Sequence, residues 1–382
     1  MTAYTVESPA KDAFNKLSTN LFAFGYQKIA KKALFAMKPD DAHSLMIDFC
    51  RAAGHNKPLM WTLRQMLDYT DPLLETTVMG VPFNNPFGLT AGLDKDCDLP
   101  TVLDAAGFGF ETVGSTTSRP CPGNPRPWFH RLPQYHSMVV HAGLANDGSR
   151  TVIRRAEKAW TQCGEMRMSI SLARTNDRLC GDLDEGIEDY CTSLRRAAGR
   201  TDIIEINVSC PNTMAGEPFT DDPRNLDRLF TALDGIDHPQ PLLVKMPLNK
   251  TWPQMRDLLD VLADHKVQGV SLANLQKDRT GLDVPKDWQG GLSGLPCKGD
   301  SDELVAQVYR EYGQRFVIAG IGGVFTAEDA YRKIRNGASI VQFVSSLMYL
   351  GPQNIASLKR GLAQLLRLDG FNSVAEAVGV DA

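Results

Sequence analysis

The stretch Ile203-Ile204-Glu205-Ile206-Asn207-Val208-Ser209-Cys210-Pro211-Asn212 decides the fold. Its first half carries Ile203, Ile204, Ile206 and Val208, an apolar run typical of a strand buried on both faces in a parallel sheet. Pro211 ends the run, because proline cannot donate to a central ladder. Around that stop stand two amides and a thiol, Asn207, Cys210 and Asn212. An α/β barrel carries its chemistry on polar groups at the carboxyl ends of such strands. Read as packing alone, Cys210 is a small buried hydrophobe and the asparagines cap a turn.

The same unit recurs on both sides. Upstream, a first strand ends in Thr90-Ala91-Gly92, and strands are predicted over 110–115 and 168–173. Downstream they are predicted over 242–246, 270–273, 316–319 and 339–344. Helical patterns fall between them, at 150–160, 184–198, 224–233, 252–263 and 327–335, with a last one over 352–366. Eight strands alternating with helices predict an α/β fold, a closed (β/α)8 TIM barrel. The rival is an open, doubly wound sheet. No Gly-x-Gly-x-x-Gly turn follows the first strand, which argues against it. Two long excursions, one through Pro120, Pro122, Pro125 and Pro127 and one over 275–300, read as loops.

Ahead of the barrel, residues 1–18 are polar and read as loose. A helix is expected over 20–37, with Phe22, Tyr26, Ile29, Ala33 and Met37 at helical spacing and Pro39 as its end. Asp40 or Asp41 caps a second helix bearing Ala42, Leu45, Met46 and Phe49, and Gly54 stops it. The expected division is a helical extension over 1–70 and a barrel over 71–382. Short apolar-and-basic helices in that position suit either a membrane surface or a structural cap.

With 43% hydrophobic and 23% charged residues, the 382-residue chain has an ordinary globular composition. Its net charge of −4 gives no reason to expect nucleic acid as a partner. The 8 cysteines include no Cys-x-x-Cys pair, so no metal site is expected. The start lacks a signal-peptide pattern and no apolar run is long enough to span a bilayer. A cytoplasmic setting is expected, peripheral to the cytoplasmic face of a membrane if the extension binds one.

The predicted strand ends collect Lys95, Ser115, Ser171, Asn207, Cys210, Lys245, Asn274, the run Gly320-Ile321-Gly322-Gly323, and Ser345-Ser346. Glycines there let backbone amides approach an anion. The loop after the last strand leads through Gly351-Pro352 to a helix N-terminus, which also favours one. A phosphorylated cofactor is the inference. Lys245, at the end of an apolar strand, needs a partner. A redox cofactor that gains negative charge would supply it, or a carboxylate such as Glu205.

These residues match a known family. The chain resembles dihydroorotate dehydrogenases in Asn85-Pro86-Phe87-Gly88 with Ala91-Gly92-Leu93-Asp94-Lys95, in Gly123-Asn124-Pro125-Arg126-Pro127 with Arg131-Leu132-Pro133, in Asn207 to Asn212, in Gly290 to Gly294, in Gly320 to Gly323, and in Val341-Gln342 with Gly351-Pro352. Length and N-terminal helices are similar to those of the membrane-associated, quinone-using class. The resemblance implies oxidation of dihydroorotate to orotate, a step of pyrimidine biosynthesis, with flavin mononucleotide (FMN) as cofactor and quinone as acceptor. It implies FMN contacts from Ala91, Gly92, Ser115, Ser171, Asn207, Lys245, Ser293, Gly294, Gly322, Gly323, Val344 and Ser345. Substrate contacts would come from Lys95, Asn207, Asn212 and Asn274, and Cys210 would be the catalytic base.

The departures are specific. Quinone-class members usually carry serine where this chain has Cys210; cysteine belongs to the soluble classes. A thiol's ordinary pKa of about 8.5 suits a base near operating pH. The family usually has Asn-Arg-x-Gly-Phe-Asn where this chain has Val140-His141-Ala142-Gly143-Leu144-Ala145. Ser171 replaces a further asparagine and Ala273 a threonine. Thr116, His136 and His141 are the candidates to supply the missing hydrogen bonds. Two alternatives therefore stand beside dihydroorotate oxidation. One is a sibling FMN oxidoreductase for another cyclic amide or carbonyl compound; the other is a non-catalytic, flavin-free barrel.

Overall fold

A computed structural model of the protein describes residues 9–382. Eight strands form a closed barrel: β1 (Phe87–Leu89), β2 (Phe110–Thr116), β3 (Arg167–Leu172), β4 (Ile203–Asn207), β5 (Leu242–Lys245), β6 (Gly269–Leu272), β7 (Val317–Ile321) and β8 (Ile340–Phe343). They neighbour one another in chain order, every pairing is parallel, and β8 closes onto β1.

The two-residue period of a strand sorts the barrel into an inside and an outside. On β4, Ile204 and Ile206 join the core between barrel and helices, while Ile203 belongs to a separate cluster with Leu243, Phe110 and Ile340. That second cluster is closed by Val78, Val81 and Phe83, from a hairpin of strands Thr76–Val78 and Val81–Phe83. The hairpin plugs the amino end of the barrel. Two residues along each strand, the same alternation turns Glu205 and then Asn207 inward on β4, and Lys245 inward on β5, with Asn207 in register with Lys245. The carboxyl end is therefore polar where the amino end is apolar.

The two excursions are not loops throughout, because each contributes strands to a second sheet. Phe129–Leu132, Ser137–Val140 and Gly291–Gly294 form an antiparallel three-stranded sheet beside the carboxyl mouth. Its third strand, Gly-Leu-Ser-Gly, has no periodicity to read, and its partner lies about 150 residues away in the chain.

The extension also differs from expectation. Helix α1 (Pro9–Gly25) occupies residues expected to be loose; residues 1–8 lie outside the described residues. A π-helical turn, Tyr26–Ala30, joins it to α2 (Lys31–Ala36), and α3 (Pro39–Gly54) follows as the second expected helix. A further helix, α4 (Lys57–Leu67), is capped by the Asn56 side chain, which accepts from Leu59 N–H. Polar contacts clamp the extension over the mouth. Tyr26 Oη donates to Met348 O at 2.6 Å, Arg131 to Met37 O at 2.9 Å, and Trp128 N–H to Asp40 Oδ1 at 2.9 Å. Among the described residues no helix is long and apolar enough to cross a membrane.

Candidate active site

One cavity of about 830 Å³ begins at the carboxyl end of the barrel and continues between the N-terminal helices. Its barrel end is walled by the strand termini. Ala91, Gly92, Lys95, Ser115, Asn207, Cys210, Asn212, Lys245, Asn274, Ser293, Gly294, Gly322, Gly323, Val344 and Ser345 all line it. Ser171 is the exception. It is fully buried behind Ser115, its Oγ 2.8 Å from Ser115 Oγ, so it backs the wall rather than forming it.

The amides form one network. Asn207 Nδ2 donates to Ser115 Oγ at 2.8 Å, and Asn207 Oδ1 accepts from Ser209 N–H at 3.2 Å and from Asn274 Nδ2 at 3.3 Å. Asn274 Nδ2 also donates to Ser209 O at 2.9 Å. Each amide is thereby oriented by backbone or hydroxyl partners, and the sequence after β4 supplies most of them. Thr116, His136 and His141 do not line the cavity. Thr116 Oγ1 is spent on Asn146 Oδ1 at 3.0 Å, and His136 is packed against Tyr349.

Lys245 is 5% exposed, and among the described residues its one hydrogen-bond partner is Thr90 Oγ1 at 3.2 Å. Glu205 is not that partner: it accepts from Ser271 Oγ at 2.7 Å, deeper in the barrel. A buried ammonium facing a cavity with only a hydroxyl for company is a place for an anion. Two further features of the site suit such a group. Ser346 Oγ is buried without a hydrogen-bond partner at the start of the short helix Ser345–Leu350, which begins directly at the end of β8. The helix expected over 352–366 follows separately as Asn354–Leu368. Gly92 holds φ +121°, and a Cβ on it would meet nothing within 4 Å, so the cavity is open above it. Gly294 is glycine for a different reason: at φ +101° its Cβ would lie 2.4 Å from His136 O. Room above Gly92, an uncompensated cation and an orphaned hydroxyl fit a flat, anionic, phosphorylated group such as a flavin.

Cys210 lines the same cavity. Burial pushes its thiol up to about 11, against the pull of the Asn212 backbone N–H and of Lys245 and helped by Glu217. The ordinary thiol value near 8.5 therefore does not apply in this pocket. Lys95 moves the other way. Burial lowers it to about 8, with Asp96, Asp94 and Asp40 partly offsetting the shift. Its Nζ lies 3.3 Å from Nε2 of His43 on α3. Burial, then Lys95 and Arg126, hold His43 down at about 3, so the imidazole is neutral and accepts from the ammonium. His43 and Thr90 were invisible to sequence patterning; Thr90 adjoins a quoted motif, whereas nothing marks His43.

The comparisons with known proteins agree on one family. The model "Dihydroorotate dehydrogenase" matches residues 73–366. The chain belongs to the dihydroorotate dehydrogenase family. It is 34% identical over 333 residues to the dihydroorotate dehydrogenase (quinone) of Synechocystis sp., covering 84% of this chain and 86% of that protein. It is 34% identical over 364 residues to the enzyme of the same name from Natronomonas pharaonis, covering 94% and 99%. A solved structure of ligand-free DHODH from Eimeria tenella superposes with a TM-score of 0.77 at 28% identity, over 90% of this chain and 99% of that one. Membership of the dihydroorotate dehydrogenase family makes the chain a flavin-dependent oxidoreductase acting on a CH–CH bond, and the barrel mouth is where such a flavin fits.

Proposed function

We propose that the protein oxidises dihydroorotate to orotate with FMN as cofactor and a quinone as final electron acceptor. One observation carries this: a single cavity joins the polar barrel mouth, with Cys210, Lys95 and the amides, to an apolar space between α1, α2, α3 and the barrel. A polar ring and an apolar acceptor can each reach the same cofactor from opposite ends. FMN held there would supply two-electron chemistry, accepting hydride and being reoxidised by the quinone. The chain supplies the rest. Lys95 pairs with the substrate carboxylate. Asn207, Asn212 and Asn274 donate to or accept from its ring amides. Cys210, as thiolate, takes the proton from one carbon while the neighbouring carbon loses hydride, and the C=C bond forms between them. Ala91, Gly92, Ser115, Asn207, Lys245, Ser293 and Gly294 hold the flavin, Gly322, Gly323, Val344 and Ser345 its phosphate, and Ser171 acts through Ser115.

Residues 1–70 form the quinone-facing extension and residues 71–382 the FMN barrel. The extension also carries the membrane contact. Phe14, Leu17, Leu21 and Phe24 on α1, Phe49 on α3 and Trp61 on α4 are all more than half exposed. Such a surface suits the apolar edge of a bilayer, whose cytoplasmic face is where quinone would enter. Leu34→Trp should fill the apolar end of the cavity, which Leu34 lines. Turnover with a short-chain quinone should then show a KM raised at least about tenfold, the worth of a blocked apolar contact. Turnover with a water-soluble dye should change less than about twofold. Equal effects on both acceptors would remove the quinone assignment.

The test of the substrate is anaerobic bleaching of the bound flavin by dihydroorotate. Absence of bleaching at saturating concentration rules it out. A second reading is favoured by one feature: Val140, Leu144, Ala145 and Leu275 give the cavity an apolar wall next to Asn212. Leaving a substrate amide unpaired against it costs about 1–3 kcal/mol. That wall suits a sibling oxidoreductase for a cyclic amide or carbonyl compound with a less polar edge. A panel of substituted dihydropyrimidines, lactams and imides in the same bleaching assay separates the two.

A further inference from the structure

Asn212 is held by residues outside the set assigned above. Asn124, in the first excursion, accepts at Oδ1 from Asn176 Nδ2 at 3.3 Å, which fixes its amide the other way round at Nδ2. That Nδ2 donates to Asn212 O at 3.0 Å and to His141 O at 3.3 Å, and it lies against the His141 ring, 3.1 Å from Nε2 and 3.4 Å from Nδ1. Asn212 is turned so that its Nδ2 faces Val140 O, which leaves its Oδ1 toward this ring, and a ring nitrogen that meets an amide oxygen carries the proton. Nδ1 faces Asn212 Oδ1 at 3.4 Å. With Oδ1 engaged, Asn212 Nδ2 gives one hydrogen to Val140 O at 3.0 Å. Its second hydrogen is left for the cavity, which Asn212 lines. The backbone N–H of the same residue supports the Cys210 sulfur.

We propose that Asn124 and His141 are positioning residues that lock Asn212 as a hydrogen-bond donor toward the substrate, Asn124 by holding its backbone carbonyl and His141 by donating from Nδ1–H to its Oδ1. The substrate atom at this point is therefore an acceptor, a carbonyl or carboxylate oxygen, and not an N–H. This rests on the assignment of Asn212 to the substrate face. It also gives a reason for a histidine beside Val140: its Nδ1–H is the donor of a relay that ends on Asn212 Oδ1.

Two variants and one spectrum test it. In His141→Gln, the side-chain amide can still donate to Asn212 Oδ1. In His141→Leu that bond cannot form. Binding of orotate, read from the absorbance change of the bound flavin, should weaken about tenfold in His141→Leu, the loss of about one hydrogen bond. It should stay within about threefold of wild type in His141→Gln. The KM for dihydroorotate should follow the same order, while flavin reduction at saturating substrate changes less than about threefold in both, because ground-state and transition-state binding are lost together. Unchanged binding in His141→Leu, or a glutamine variant as weak as the leucine one, overturns the proposal. Independently of any substrate, the ¹⁵N–¹H long-range correlation of histidine-labelled holoprotein should show the Nδ1–H pattern for the signal lost in His141→Gln; an Nε2–H pattern overturns the relay. If wild-type protein binds no orotate, the dihydroorotate assignment falls while the tautomer still decides this proposal.

Discussion

Cys210→Ala is expected to slow flavin reduction by dihydroorotate about 10²–10⁴-fold, the usual worth of a positioned general base, with flavin content unchanged. Rates like those of the wild type would reduce the thiol to packing. The pH profile makes the assignment sharper. The base form is the thiolate, and burial holds the thiol at about 11. The carboxylate-binding form of Lys95 is the ammonium, and burial lowers that group to about 8. The required pair, thiolate with ammonium, is thus the minority protonation state, present in about one molecule in a thousand for values three units apart. For the free enzyme, kcat/KM should rise about tenfold per pH unit up to about 8, where more thiolate forms and Lys95 stays charged. Between about 8 and about 11 the two titrations cancel and the profile is flat; above that it falls. A bound carboxylate holds Lys95 protonated, so kcat alone keeps rising beyond 8. A kcat/KM that falls between pH 6 and 8 would contradict both assignments. In Cys210→Ala the rising limb should disappear and the loss above about 8 should remain.

The barrel strands were legible because each is an apolar run between two helical patterns, and the site residues because they follow those runs. What the sequence hid has identifiable causes. Helix α1 is inverted. Asn15, Ser18 and Thr19 are its buried face, and Asn15 Nδ2 and Ser18 Oγ donate to Met66 O at 3.2 and 2.7 Å. Phe14, Leu17 and Leu21 point outward, 53%, 70% and 66% exposed. A reader who assumes that the apolar stripe is the buried one finds no helix to bury there. The inversion leaves the apolar stripe of the extension on its outer face. The excursion sheet was hidden because its register is set between distant segments. The protonation of Cys210 was hidden because burial is a property of the fold; residue identity carries only the unperturbed value.

Lys245→Met should separate the work of this cation from its effect on stability. Lys245 is buried with a single hydroxyl partner and makes no ion pair with the described residues. Methionine has nearly the same length and no charge to desolvate. The apoprotein should therefore unfold at the same temperature as the wild type or a few degrees higher, as when a buried ion is replaced by a well-packed apolar side chain. The holoprotein should lose function. A fixed charge aimed where negative charge develops is worth about 10²–10³ in rate, or about 3 kcal/mol. For a two-electron couple that is about 60 mV, so the flavin midpoint potential should drop by that order. Flavin reduction by substrate should slow about 10²–10³-fold, and a carboxylate-free analogue should be slowed equally, since Lys95 rather than Lys245 meets the carboxylate. An apoprotein clearly less stable than the wild type would assign Lys245 to structure, and an unchanged potential would place the cofactor's charge elsewhere. The opposite pair of results, a steadier empty barrel and a weaker oxidant, is what an ammonium kept at an energetic loss for the sake of its absent partner must give.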